Sequence, residues 1–321
     1  GLENFGRINQ IEGISSASAK FMHQAWAPST RKRYLSSWRR WVGWCSERSL
    51  DPVESPLKDI LNFLSECAEL GMAYRSVNNF RSAISAGHVF LDNKPVGMHP
   101  LVCKLLKGIR VSNPPKPRYS QLWDVNVVLN LFSNWPADAD LSLKQLSAKL
   151  VTLLCLISCR RVSDVKALDL QGRLFSPFGV SFLISKRTKS MSRMVDYPAF
   201  PHNSKLCIVQ CLKSYEERTL PHRIDPFGQL ILTIRKPFKP VSAATLARWV
   251  RWVMAEAGID ISAYGAHSVR GAMASKAFVL GSRLEDILQA ADWSSDSMFK
   301  TFYYKPIVHA STVVVNSFEP A

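Results

Sequence analysis

Three prolines crowd residues 112–118, SNPPKPR, and no other stretch constrains the fold of this chain so strongly. Each proline fixes φ and removes a backbone donor, and the residue before it is pushed toward extended conformations. Neither a helix nor a central strand can run through such a segment. It reads as an extended linker, separating a domain over 1–111 from one over 119–321. With 321 residues and 47% hydrophobic content, the chain has material for a core on either side of the break.

The first domain carries the helical period throughout. Residues 28–48 place Tyr34, Trp38, Trp41, Val42 and Cys45 on one face, with Ser29 or Thr30 as the cap. Ser55-Pro56 opens a second helix bearing Leu57, Ile60, Leu61, Leu64 and Cys67, its proline at the first helical position. A third helix is expected over 73–90 around Tyr74, Val77, Phe80 and Ile84, and a fourth over 100–111. Beyond the linker the pattern mixes. Helices are expected over 143–157 and 207–219, and from a Ser242 cap to Gly258 as the left-handed C′ residue. Residues 179–198 read as a β-hairpin with a basic turn, Lys186, Arg187, Lys189 and Arg193. A short strand is expected over 229–234. Three shorter helical segments hold HSVRG, LEDILQAADW and DSMFKTFYY. The predicted fold class is mainly α: an all-helical N-terminal domain, then an α+β domain with a small antiparallel sheet.

Charge narrows the partner. Lys and Arg number 41 against 25 Asp and Glu, a net charge of +16, which favours a polyanion: nucleic acid or an anionic membrane. No apolar run approaches the ~20 residues of a membrane span. The first residues, GLENFGRINQ, show neither the basic n-region nor the apolar h-region of a signal peptide. Nucleic acid is therefore the expected partner. The seven cysteines are odd in number. Cys155/Cys159 and Cys207/Cys211 stand at i,i+4 rather than zinc-ribbon spacing, so they read as buried small hydrophobes in a reducing compartment.

Five residues of the second domain have the chemistry of a phosphodiester site: Arg161, His267, Arg270, Trp293 and Tyr303. Two guanidinium forks match non-bridging phosphate oxygens in pairs. An imidazole and an indole N–H can add hydrogen bonds, and a tyrosine can attack phosphorus. Arg161 and Asp164 share a helical face, so the carboxylate can hold the guanidinium; the pair reads equally as a surface ion pair. His267 and Arg270 share the start of a helix, where phosphate is favoured. Taken singly, Lys189 also fits a solvated turn, Trp293 a core residue and Tyr303 a packed helix end.

Order and local wording together resemble the tyrosine recombinase (phage integrase) family. Arg161-Val-Ser-Asp-Val-Lys-Ala-Leu168 matches the family's segment around its first arginine. Lys189 in KRTKS corresponds to a hairpin lysine, with Lys186 as runner-up. His267 and Arg270 match H-x-x-R, Trp293 the following His/Trp, and Tyr303 the nucleophile. The resemblance extends over the layout, a helical core-binding (SAM-like) domain, a linker and a catalytic domain, and so over nearly the whole chain. ADWSSDSMFKTFYYKP is most similar to eukaryotic mobile-element recombinases, those of DIRS- and Ngaro-type retrotransposons or Cryptons, which implies an intracellular and nuclear protein.

The resemblance implies two-step transesterification on duplex DNA through a 3′-phosphotyrosyl bond, without ATP or metal cofactor. Arg161 and Arg270 would neutralise charge on the equatorial oxygens, with Asp164 supporting Arg161. His267 and Trp293 would donate hydrogen bonds, and Lys189 would protonate the leaving 5′-oxygen. Arg31, Lys32, Arg33, Arg39, Arg40, Arg75 and Arg81 of the helical domain, with Lys186 and Arg187, would contact DNA, mostly at phosphates. A homodimer on one site and a tetramer in synapsis are implied. The apolar segment after Tyr304 would dock on a neighbouring protomer or pack on its own domain.

Three departures stand out. The family's tyrosine usually falls where this chain has Phe302, so Tyr303 is favoured over Tyr304 as the nearer hydroxyl. Asp164 replaces the commoner Glu. Ala291-Asp292 replaces the frequent Leu-Gly before the His/Trp. Two other activities share these features: a type IB topoisomerase, and a DNA-binding protein of recombinase ancestry that no longer cuts.

Overall fold

The structure is a computed structural model describing residues 15–114, 119–184, 193–293, 295–296, 299–305 and 307–308. The chain forms two compact units, Gly1–Lys116 and Pro117–Ala321.

The first unit is helical: α1 Ser16–Gln24, α2 Pro28–Ser46, α3 Leu57–Glu69, α4 Tyr74–Gly87 and α5 Pro100–Ser112. The apolar faces of α2 to α5 close on one core containing Trp38, Trp41, Cys45, Ile60, Phe63, Leu64, Val77, Ile84 and Val102. The crossing of α2 and α4 depends on Gly87, where a Cβ would come within 2.7 Å of the Trp38 ring. Helix starts differ from expectation. Pro28 takes the first position of α2, so Ser29 and Thr30 fall inside its first turn and Ala27 precedes it without a side-chain cap. Pro56 stands before α3, not at its first helical position. At α5, His99 Nδ1 accepts the Leu101 N–H at 3.2 Å, leaving Nε2 to donate to Asp92 at 3.1 Å. Arg31, Lys32, Arg33, Arg39, Arg40 and Arg75 are exposed. Arg81 is not free in the same way. Its guanidinium donates to the Gly97 carbonyl at 3.0 Å and to Asn78 Oδ1 at 2.7 Å, so it ties α4 to the segment before α5.

In the second unit, β1 Leu122–Trp123 leads into α6 Val125–Asn134, α7 Leu143–Ser158 and the short α8 Val162–Lys166. Strands β2 Arg173–Ser176, β3 Gly179–Ile184 and β4 Arg193–Pro198 form an antiparallel three-stranded sheet. Then come α9 Ile208–Thr219, α10 Ala243–Glu256, α11 Ser268–Val279, α12 Leu284–Ala291, a π-turn Phe299–Tyr303 and β5 Ile307–Val308. Helix α7 is the centre. It is buried from Leu146 through Leu156 and touches α9, α10 and α11. Its one buried charge, Lys149, donates to Asp138 at 2.6 Å. A capping box of Ser142 and Gln145 starts it.

The expected hairpin forms as β3 and β4, paired from Gly179↔Pro198 to Ile184↔Arg193; one strand is added to it and one expected strand is absent among the described residues. Strand β2 falls outside the expected hairpin; it pairs with β3 from Arg173↔Phe182 to Ser176↔Gly179. Residues 229–234 are not a strand but make isolated bridges, Asp169↔Gln229 and Leu232↔Pro240, while the Leu232 N–H donates to the buried Tyr215 hydroxyl at 2.9 Å. The hydrogen bonds of that run go to a loop and a side chain, so its apolar residues are buried without a ladder. Six cysteines are buried as expected, but Cys103 is exposed. Among the described residues, no helix is long and apolar enough to cross a membrane.

Candidate active site

Helix α7 ends in a reversal. Cys159 takes a left-handed conformation at φ 48°, and Arg161 follows in extended backbone as the residue before α8. Asp164, 8% exposed, accepts the backbone N–H of Arg161 at 3.2 Å. It thereby caps the short helix and fixes the backbone from which the Arg161 side chain leaves.

His267 precedes α11, and Arg270 lies in its first turn. Trp123 Nε1 donates to Ser268 Oγ at 2.9 Å, and that hydroxyl donates to the Gly265 carbonyl at 2.8 Å, pinning the start of α11 to β1. Arg270 is 1% exposed. Its guanidinium lies 4.4 Å from the Trp293 ring centroid and 5.4 Å from that of Tyr303. Among the described residues, none of its three nitrogens has a hydrogen-bond partner, and Trp293 Nε1 has none either. Buried donors are normally satisfied, so a guanidinium and an indole N–H left open side by side describe a place prepared for an acceptor. Burial, then the Arg161 cation, pull Arg270 down to about 10, against smaller opposing effects of Tyr303 and Asp164. His267 is held below the ordinary histidine value by the atoms crowded around it, then by Arg270 and Arg161. Its imidazole is therefore neutral at pH 7, and both residues feel the Arg161 charge.

Tyr303 reaches this place through the π-turn. The Tyr304 N–H donates to the Phe299 carbonyl at 2.8 Å, closing a turn with one residue more than an α-turn. The Tyr303 hydroxyl stands 3.0 Å from His267 Nε2, its ring 4.5 Å from that of Trp293, and its carbonyl accepts from Ser275 Oγ at 2.8 Å. Tyr304 turns elsewhere, packing edge-on against Phe278 with 47% exposure. Beyond the turn, β5 pairs in parallel with β1, Leu122↔Ile307 and Trp123↔Val308. This part of the C-terminal segment therefore packs on its own unit, and residues from 309 on lie outside the described residues.

The structure thus brings His267, Arg270, Trp293 and Tyr303 into mutual contact, with Arg161 near enough to perturb two of them. Lys186, Arg187 and Lys189 lie outside the described residues. Sequence reasoning passed over Ser268 and Ser275, which hold the two ends of the site, and over Arg160, whose partner Asp292 stood out only as a departure in the wording before Trp293. The first two read as ordinary helix serines. The hints of the Arg160–Asp292 pair were the Arg160-Arg161 doublet and the Ala291-Asp292 departure. Among the described residues no group of His, Cys, Asp and Glu has the composition of a metal site.

The mostly helical architecture with a small three-stranded antiparallel sheet matches the fold of the tyrosine recombinase catalytic domain. No protein-family model matches the chain. Among curated proteins it is similar to an integrase/recombinase XerD homolog of Selenomonas ruminantium, 20% identical over 279 residues, covering 84% of this chain and 80% of that one. Among solved structures it is similar to the Tn1549 transposon integrase in complex with circular intermediate DNA, at TM-score 0.54 and 12% identity, over 98% of this chain and 97% of the other. It is similar too to XerH site-specific recombinase bound to difH substrate, at TM-score 0.53 and 15% identity over 80% and 68%. A lambda integrase dimer bound to a COC′ core site aligns at TM-score 0.51 and 15% identity over 94% and 93%.

Proposed function

We propose that this chain is a site-specific tyrosine recombinase that cuts and rejoins duplex DNA. The observation that carries the reading is Arg270: a fully buried guanidinium with every nitrogen unpartnered, beside a tyrosine hydroxyl that meets a neutral histidine at 3.0 Å. A phosphodiester supplies what that arrangement lacks, an anion with several acceptor oxygens. The Tyr303 oxygen attacks phosphorus, the P–O5′ bond breaks and a 3′-phosphotyrosyl bond forms. The tyrosine proton passes to His267, whose depressed pKa keeps it free to accept one. Lys189 delivers a proton to the departing 5′-oxygen, a role that rests on the family resemblance. Arg161 and Arg270 neutralise the equatorial oxygens, and Trp293 Nε1 donates to one of them. The bond energy stays in the phosphotyrosyl ester, so rejoining needs no nucleotide cofactor.

Duplex DNA as partner is supported by the net charge of +16, by the exposed basic residues of α2 and α4, and by the DNA in the structures the fold resembles. Dimers on a site and tetramers in synapsis belong to the same reading. The mobile-element and nuclear setting rests on the wording around Trp293 and Tyr303.

A nicked suicide substrate tests the proposal. Wild type should form a covalent adduct. Tyr303→Phe should abolish it while DNA binding survives, and Tyr304→Phe should leave it. Adducts persisting in Tyr303→Phe and vanishing in Tyr304→Phe move the nucleophile by one residue. Their absence in wild type, with binding intact, leaves the non-cutting reading in place. Supercoil relaxation without dependence on a partner site favours the topoisomerase. Sequencing trapped DNA ends identifies the target.

A further inference from the structure

We infer that Arg160 and Asp292 form a positioning latch that couples the two arms of this site. Arg160 directly precedes Arg161, and Asp292 directly precedes Trp293. Their side chains are 5% and 16% exposed, with Arg160 Nη1 4.0 Å from Asp292 Oδ2. Among the described residues Arg160 Nε and Nη1 make no hydrogen bond, and the aspartate supplies a counter-charge beside this buried cation. The inference rests on the proposed site and adds two residues to it that touch no substrate.

Both ends of the latch sit at left-handed reversals. Cys159, just before Arg160, has φ 48°, and Asp292 has φ 55° and ψ 51°. Asp292 ends α12 in the double hydrogen-bonded manner that usually calls for glycine: its N–H donates to the Gln289 carbonyl at 3.1 Å, and the Trp293 N–H to that of Leu288 at 2.9 Å. A side chain is disfavoured in that conformation, though aspartate tolerates it better than most. A carboxylate retained there, opposite a buried arginine, marks an interaction that glycine could not make. The chain neighbours of the pair, Cys159 on one side and Ala291 and Trp293 on the other, meet in one small apolar cluster with Ala274, Ile287 and Phe299, on which Tyr303 also packs. The exit of α7 toward Arg161 and the exit of α12 toward Trp293 are thereby held at one spacing, and the indole is held against Arg270 and Tyr303.

A double-substitution cycle tests the latch in the full chain labelled with 5-fluorotryptophan, the Trp293 resonance being assigned through Trp293→Phe. Asp292→Gly relaxes the backbone but strands Arg160; Asp292→Asn keeps a side chain that tolerates the turn and removes the charge. Both, and Arg160→Leu, should move the Trp293 fluorine signal and slow adduct formation at saturating DNA about tenfold. DNA affinity should stay within about twofold, because binding is spread over many phosphate contacts. The double variant Arg160→Leu/Asp292→Gly should recover signal and rate, since neither charge is then stranded. Effects that simply add, or a silent Asp292→Asn, overturn the latch. Should wild type form no adduct, the recombinase reading falls, and the fluorine cycle still decides: recovery in the double variant supports the latch and additivity refutes it.

Discussion

Replacing Arg270 by methionine should stabilise the protein while abolishing the proposed DNA cleavage. The guanidinium is 1% exposed and has no hydrogen-bond partner. Held at about 10, well below the ordinary guanidinium value, the group carries a penalty of about 3 kcal/mol on its charged form in the folded state, at about 1.4 kcal/mol per tenfold. The sign follows from linkage. The folded pKa lies below the unfolded one, so the penalty is complete below pH 10 and is relieved only as the pH rises above that toward the ordinary guanidinium range. An assay at neutral pH therefore reads all of it. Against this stand the contacts of the cation with the Trp293 and Tyr303 rings at 4.4 and 5.4 Å, together worth about 1–2 kcal/mol. Methionine fills a similar volume, and its sulfur sits well against aromatic rings. The net gain is about 1–2 kcal/mol, or about 2–8 °C in the melting temperature of a unit of this size.

Differential scanning calorimetry of the full chain, with and without duplex DNA, measures both halves of the claim. Without DNA, Arg270→Met should melt higher than wild type. With DNA, wild type should gain stability by mass action, about 2.7 kcal/mol at a hundredfold excess over Kd, and the variant should gain less because one cation no longer meets a phosphate. A lower melting temperature for Arg270→Met without DNA would refute the reasoning, because it would mean the charge is already compensated in the free protein. The outcome distinguishes a cation kept in reserve for a ligand from one that holds the fold together.

Three further outcomes are expected. The cleavage rate of wild type should be flat with respect to His267 above pH 6.5 and fall only below it, as the imidazole protonates through its lowered pKa; stability should also decline below pH 6.5, where the unfolded state binds the extra proton, and both effects should be missing in His267→Asn, as read by adduct rate and thermal unfolding against pH. Charge removal at Arg31, Arg33 or Arg39 should lower the slope of log K against log salt by about 0.9 for each phosphate no longer neutralised, whereas Arg81→Ala should destabilise the helical unit by about 1–3 kcal/mol through the abandoned Gly97 carbonyl; binding titrations at several salt concentrations and melting curves separate the two. Lys189→Ala should lose cleavage of ordinary DNA and regain it on a substrate with a 5′-bridging sulfur, since a thiolate leaves without protonation; failure of that rescue moves the acid to Lys186 or elsewhere.

How far the sequence disclosed this molecule depends on which physical signal each part emits. Helices α2 to α5 bury one face each, and burial at helical spacing is visible as Trp38, Trp41 and Cys45 or Ile60, Leu64 and Cys67. Helix α7 is buried nearly all round, and its apolar run alone marked it. Strand β2 emitted nothing, because its side chains are exposed or half-exposed and it is defined only by its ladder to β3. Residues 229–234 emitted a misleading signal: burial without pairing looks like a strand until the partners of its N–H groups are known. The site divides in the same way. Residue types and their order pointed to Arg161, His267, Arg270, Trp293 and Tyr303, because chemistry is written in side chains. What holds them is written in the backbone: left-handed turns at Cys159 and Asp292 that carry no glycine to announce them, and a π-turn whose extra residue appears in sequence only as a tyrosine one place late. A one-residue offset in an α-helix rotates a side chain by about 100°. Absorbed by a π-turn, the same offset leaves the Tyr303 hydroxyl 3.0 Å from His267, so the departure from the family spacing and the departure from α-helical geometry are one feature.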